Sequence, residues 1–337
     1  MMTRREIIKQ GGLTLTASAL PFFLNAFTKF NYMTDNKISR VVDTVIIGAG
    51  AAGLSAALFL LRARRSVIIF DAGSKRISAT SEIHELLGFE GKTPMDFHKT
   101  GKKEVLKYGG EIRKEKVTVI EPISDNLFKI QTTQSNVIAR TVVIATGLTD
   151  ILPDISGLKE GWGKDIHICP CFTGYELYNK KVVVFGLHER IGQLSKFLTA
   201  WTNNVTVVTD QQFEPTILKK LNAVGVGMVE SEVVSVVRSN GKLKGVQTKA
   251  GNEIACEAVF VATPLQATSD LASTLCDVDE LGFAKTDING KTSRDGVWVI
   301  GNANDPIGHL AHSIAAGTSV GPIVTDYIIE QAIKEHE

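Results

Sequence analysis

Cys169-Pro170-Cys171 places two thiols one residue apart, in a chain of 337 residues with four cysteines. Adjacent thiols trade electrons by forming and breaking a disulfide. Cys256 and Cys276 stand alone in strand-like and helix-like contexts and read as buried packing residues. Four cysteines are too few for a disulfide scaffold, and no CxxC pair or Cys/His cluster offers a metal site. The pair sits between two copies of a nucleotide-binding pattern. Val45 to Gly53, VIIGAGAAG, is intact, whereas Val182 to Ile191, VVVFGLHERI, is eroded where a phosphate would lie. Such a placement indicates electrons moving through sulfur beside a bound dinucleotide, with the usual electron donor lost or changed.

The elements that must position these residues form an internal repeat. The first unit runs strand 44–47, glycine turn, helix 51–64, strand 66–70 and Asp71. Alternating strands follow at 116–119, 127–132 and 136–140, ending in VVIATG at 142–147. The second unit repeats the order: strand 182–185, turn, helix 190–201, strand 205–208 and Asp210, then strands 233–237, 243–248 and 253–256, ending in VFVATP at 259–264. Strand–turn–helix–strand plus a meander, used twice, predicts an α/β protein of two Rossmann-like dinucleotide-binding domains in three ββα layers.

The first glycine motif gains weight from its context. Gly48 allows the tight turn, Gly50 lets backbone approach a pyrophosphate, and Gly53 lets the helix pack on the strand. The helix N-terminus adds the positive end of its dipole. Asp71 closes the next strand at about the ~20-residue spacing expected of a ribose-binding acid. Gly301-Asn302, between a strand and a helix, fits a second phosphate-proximal turn.

Composition narrows the partners. With 44% hydrophobic residues and 30 Gly the chain can bury two cores, and a formal charge of +1 recruits neither nucleic acid nor an anionic membrane. Residues 1–33 resemble a twin-arginine export signal: Arg4-Arg5, Ile7-Ile8, then an apolar run from Gly11 to Phe27. That run is short of the ~20 residues a membrane-spanning helix needs. The segment predicts export, cleaved or retained as an N-terminal anchor; the alternative is a cytoplasmic protein starting at Met33.

From about Val41 onward the chain resembles the thioredoxin-reductase-like branch of the FAD-dependent pyridine nucleotide–disulfide oxidoreductases. The matching segments are Gly48–Gly53, Thr141–Gly147, Leu152-Pro153, Trp162-Gly163, Gly174-Tyr175-Glu176 and Gly296–Asn302. The resemblance implies an FAD-binding domain in two pieces, 38–150 and 286–337, with a nicotinamide-domain-like insert at 151–285 that carries the cysteines. It assigns FAD contacts to Gly48, Ala49, Gly50, Ala51, Ala52, Gly53, Asp71, Ala145, Thr146, Gly147, Gly301 and Asn302. It also implies a homodimer, and a small dithiol, a disulfide or a thioredoxin-like protein as substrate.

Departures from that family shape the expected mechanism. Aligned on Gly174-Tyr175-Glu176, Cys169 takes the first family cysteine position, Phe172 the second, and Thr173 the usual acid–base position. A Cys169–Cys171 bridge would be tight, because extended residues i and i+2 lie near the ~6.8 Å limit for bridged Cα atoms. A helix starting near Phe172 would lower a neighbouring thiol's pKa. By the same resemblance His309 and His312 face the flavin and the cysteines, where a His could supply the proton transfer that Thr173 cannot, with His167 a weaker candidate. His84 and His98 read as surface residues. His188 replaces the middle glycine of the second motif and Ile191 the third, which obstructs a pyrophosphate; no Arg near Asp210 awaits a 2′-phosphate. Asp210 could accept from an NADH ribose but would repel an NADPH 2′-phosphate, so NADPH is disfavoured and the obstructed turn counts against NADH too.

The expected activity is FAD-dependent thiol–disulfide exchange, as a dithiol oxidase or otherwise without NADPH. The alternatives are an NAD(P)H-dependent disulfide reductase and a flavin-binding sensor or scaffold without thiol turnover.

Overall fold

The computed structural model describes residues 31–32, 39–73, 76–186 and 190–337. The twin-arginine segment lies outside them, as does His188. The chain divides after Val41. In the part before that point β1 (Asn31–Tyr32) pairs antiparallel with Arg40 and Ser39, the start of β2 (Ser39–Ile47).

From Val42 onward the first sheet is laid down as β2, α1 (Ala51–Arg62), β3 (Val67–Phe70), α2 (Pro94–Lys107) and β4 (Glu111–Arg113). The meander β5 (Val117–Ser124), β6 (Leu127–Thr132) and β7 (Asn136–Ile144) follows. The strand order is β4-β3-β2-β7-β6-β5. The nine-residue β7 serves two layers. Asn136–Ala139 pairs with β6, while Val142–Ile144 pairs in parallel with β18 (Val297–Val299) from the far end of the sequence.

Alternation along β2 explains the layering. Val45 and Ile47 join a core with Phe128 and Ile130 of the meander, whereas Ile46 points to the opposite core with α1 and α6 (Leu310–Lys334). A period of two thus feeds a meander on one face and helices on the other. Each fully buried aliphatic side chain there contributes about 1.5–3 kcal/mol. Trp298, 1% exposed, closes the helical side edge-on to Tyr327 at 5.3 Å.

Between β7 and β18 run β8 (Leu148–Asp150), α3 (Leu158–Gly161), β9 (Ile166–His167), β10 (Val182–Gly186), α4 (Ile191–Leu198), β11 (Val205–Thr209), α5 (Pro215–Ala223) and β12 (Gly227–Glu230). The antiparallel trio β13 (Val233–Ser239), β14 (Lys242–Thr248) and β15 (Glu253–Ala255) comes next, then β16 (Ala258–Ala262) and β17 (Leu265–Ala267). Here the sheet order is β12-β11-β10-β16-β9, all parallel. Runs such as Val182–Phe185 are apolar throughout because both faces are covered. β17 pairs antiparallel with β8, so the chain leaves and re-enters this segment at one place. α4 is shorter than the sequence suggests, eight residues from Ile191 to Leu198.

Candidate active site

The glycine turn after β2 shapes one cavity. Gly48 adopts φ +106°, and a Cβ there would lie 2.3 Å from Ala145 O. A Cβ on Gly53 would lie 1.9 Å from Gly48 O, so helix and turn touch only because both residues lack one. Gly50 differs: nothing stands within 4 Å of its Cβ position, and it opens onto the cavity. It caps α1 without a side-chain hydrogen bond, which leaves the first-turn N–H groups directed outward. Ala51, Ala52, Asp71, Ala145, Thr146, Gly147 and Asn302 line the same space. Ala49, by contrast, is fully buried in the core, and Gly53 and Gly301 sit behind the wall. Asp71 is buried, 3.6 Å from Lys102.

Cys169 and Cys171 form a disulfide with Cα atoms 5.3 Å apart. Extended chain would hold them further apart; here Pro170–Phe172 makes a single 3-10 turn that draws them together. Cys169 Sγ also accepts a hydrogen bond from Cys171 N–H at 3.3 Å. No long helix starts at Phe172, so a helix dipole does not act on these thiols. Thr173 Oγ1 is buried without a hydrogen-bond partner.

The disulfide opens onto a second cavity of about 530 Å³. His309, at the N-cap of α6, lines it with the cysteines. Its Nδ1 lies 3.4 Å from Glu85 Oε2. Asn302 belongs to both cavities, and its Nδ2 donates to Asp305 O and Gly308 O at 2.8 Å each, fixing the loop that delivers His309. His312 is a correction: it is exposed, outside the cavity lining, edge-on to His309 at 5.9 Å. His167 is buried against Phe260, and burial pushes its pKa down to about 4 against the raising effect of Asp165. It is a neutral packing residue at pH 7. Burial likewise pushes the Cys256 thiol up to about 12.

The chain matches the pyridine nucleotide-disulphide oxidoreductase family over residues 42–317. The chain belongs to that family. It is an FAD-dependent oxidoreductase of the thiol–disulfide type. It is 27% identical over 256 residues to thioredoxin reductase tcpT of Claviceps purpurea, covering 70% of this chain and 78% of that one. To the thioredoxin reductase of Treponema pallidum it is 29% identical over 273 residues, 77% and 88% of the two chains. A solved structure named HlmI superposes with a TM-score of 0.85 at 31% identity, covering 89% of this chain and 97% of that one.

The first cavity fits the family's flavin. Glycines leave open space at a helix N-terminus, an acid stands at the strand end, and Asn302 carries the lining on toward the cysteines. The second unit keeps only part of this. Gly186 adopts φ +144°, and a Cβ there would lie 2.1 Å from Ala262 O, as Gly48 does with Ala145. Gly186 thus stands where Gly48 stands, and Ala51's counterpart falls at position 189. Yet α4 starts two residues later, at Ile191, which is wholly buried where the first unit needs a glycine.

Sequence reasoning missed several residues of the cavity beside the cysteines. His84 lines it, and a 2.6 Å hydrogen bond to Glu90 raises its pKa. Glu85, Arg76, Arg190 and Lys196 also reach it. Arg76 makes a twofold bond to Asp150, 2.8 Å on each arm. The loop carrying His84 and Glu85 lies far from the cysteines in sequence and bears no motif.

Proposed function

We propose that this oxidoreductase works as a dithiol oxidase, or otherwise without NADPH. The observation that carries the reading is the opening of Cys169–Cys171 onto one cavity with His309 and with residues of the second nucleotide unit, Arg190 to Phe197 and Val261 to Thr263. A substrate thiolate attacks one cysteine sulfur, breaking the Cys169–Cys171 bond and forming a mixed disulfide. The second substrate thiolate displaces that cysteine, so the substrate leaves as a disulfide and both cysteines are reduced. His309 Nε2 takes the proton from the attacking thiol while Glu85 holds Nδ1. FAD, which Gly50, Asp71 and Asn302 would hold in the first cavity, would supply the two-electron acceptor for the reduced cysteines, with dioxygen or another acceptor as the final oxidant.

The late start of α4 and the buried Ile191 support the loss of nicotinamide binding. Asp210, at the end of β11, would repel an NADPH 2′-phosphate. The Arg4-Arg5 segment agrees, because an exported enzyme meets little NAD(P)H. A thioredoxin-like protein or a small dithiol is the partner, and the enzyme acts as a homodimer. The contact between Gly186 and Ala262 favours a second reading, an NAD(P)H-dependent disulfide reductase with a reshaped turn.

Anaerobic mixing of the flavin-loaded protein with NADH, NADPH and dithiothreitol in turn decides between them. Bleaching by the dithiol alone is expected. Bleaching by a nicotinamide would establish the reductase, and bleaching by none would leave a flavin-binding sensor or scaffold.

A further inference from the structure

We infer that a third cavity, behind the disulfide, binds a small neutral aromatic ring carrying one N–H or O–H group, and that His167 makes the hydrogen bond to it. The site is separate from the thiol exchange proposed above, and its test does not need that activity.

His167 carries the inference. It is 6% exposed and its ring packs against Phe260 at 5.4 Å, yet no described residue hydrogen-bonds either ring nitrogen. Polar groups taken out of water ordinarily find a partner, and an imidazole left without one costs free energy. His167 lines a cavity of about 240 Å³, where a ligand can supply that partner. Neutral at pH 7, the ring offers one donor nitrogen and one acceptor.

The other polar side chains of the lining are engaged already. Arg76 and Asp150 hold each other by a twofold bond. The Thr80 hydroxyl donates to Glu82 O at 2.9 Å, and Thr149 shares a hydrogen bond with Thr268 at 3.2 Å. A buried water needs two to four polar partners, so this space suits an organic occupant better. The paired charges leave nothing to attract an ion, so the occupant is neutral. Ile77, Leu148, Trp162, Ile166 and Phe172 supply an apolar and aromatic wall. An apolar cavity of roughly 150 Å³ already takes benzene, which gives this larger one room for two fused rings.

The walls are preformed. Gly163 adopts φ +75°, and a Cβ there would overlap Ala79 O, so only glycine lets the loop before β9 lie on the chain after Arg76. The Arg76–Asp150 bond ties that same stretch to β8. Ile168 and Phe172 line both this cavity and that of the disulfide, while Leu148 lines both it and the flavin cavity. An occupant therefore touches residues that the redox centre also uses.

The test titrates indole and indene, which share a shape and differ in one N–H, into the flavin-loaded protein by calorimetry. Indole should bind about fivefold tighter, the worth of one net hydrogen bond. His167→Leu should bring the two affinities together, whereas Trp162→Leu should weaken both and keep their ratio. Nitrogen-15 spectra of protein labelled at histidine give a readout that stands even if His167→Leu does not fold. There indole, more than indene, should shift the signal of a ring that stays neutral down to about pH 5. Binding of neither ring, with water alone in the cavity, would overturn the proposal. So would equal affinities in the wild-type protein, a ratio unchanged in His167→Leu, or no shift of that histidine signal.

Discussion

The Glu85 carboxylate reaches within 3.4 Å of His309 Nδ1 from a backbone conformation, φ +61°, that side chains other than glycine seldom adopt. Glu90 holds it there, accepting the Glu85 N–H at 2.9 Å with one oxygen and bonding His84 Nδ1 at 2.6 Å with the other. Strain kept beside a thiol centre predicts a trade of stability for positioning. Glu85→Gly should stabilise the protein by about 1 kcal/mol in thermal unfolding, because glycine accepts this conformation freely. The same variant should slow dithiol oxidation about tenfold by releasing His309. A stabilised variant with unchanged turnover would show that Glu85 has no part in the chemistry.

The two histidines at the start of α6 should separate cleanly. His309→Ala is expected to slow dithiol-driven bleaching of the flavin by about 100-fold, the usual worth of a general acid–base. His312→Ala, at an exposed position outside the lining, should change the rate less than twofold. Equal losses in stopped-flow traces would return His312 to the site.

For the cysteines, alkylation and flavin colour give complementary readings. In the oxidised protein the bridge ties up Cys169 and Cys171, and burial raises the pKa of both Cys256 and Cys276. Iodoacetamide at mildly alkaline pH should therefore add almost nothing before reduction and two adducts after it. Cys169→Ser and Cys171→Ser should each bind flavin yet resist bleaching by dithiothreitol. A Cys171→Ser protein that still bleaches would remove that residue from the pair.

At the flavin cradle, two neighbouring glycines predict opposite kinds of damage. Gly53→Ala drives a Cβ to 1.9 Å from Gly48 O and should cost several kcal/mol of stability, seen as a lower melting temperature even without flavin. Gly50→Ala meets nothing within 4 Å at φ −75°, so the apoprotein should melt as wild type does. Its methyl group points into the cavity, and flavin titration should show affinity reduced at least about tenfold. Unimpaired flavin binding by Gly50→Ala would move the pyrophosphate away from this turn.

These contrasts show what was legible in the sequence. The repeat, the glycine turn and the cysteine pair announce themselves because backbone geometry demands particular residue types at fixed spacings. The Cys169–Cys171 bridge was readable as a possibility, but the 3-10 turn that shortens it depends on local packing. His312 was misplaced: it stays beside His309, rings edge-on at 5.9 Å, but His309 sits at the N-cap with extended backbone while His312 is already in the helix and exposed outside the lining. His84 and Glu85 were invisible as site residues: a loop's route across the fold is set by tertiary contacts, not by its own periodicity. Cys276, read from the sequence as buried, is partly buried against the first core.

His167 makes a prediction about pH. Its pKa falls from 6.5 to about 4 in the folded chain, chiefly through burial beside Phe260. Between those values the unfolded chain binds a proton that the folded chain refuses, so stability declines as pH is lowered. The loss should begin near pH 6.5, be complete near pH 4, and reach at most on the order of 3 kcal/mol. His167→Phe, placing a second ring against Phe260, should flatten this part of the stability profile in urea unfolding from pH 7 to 4.5. An equally steep profile in the variant would assign the acid sensitivity to another group.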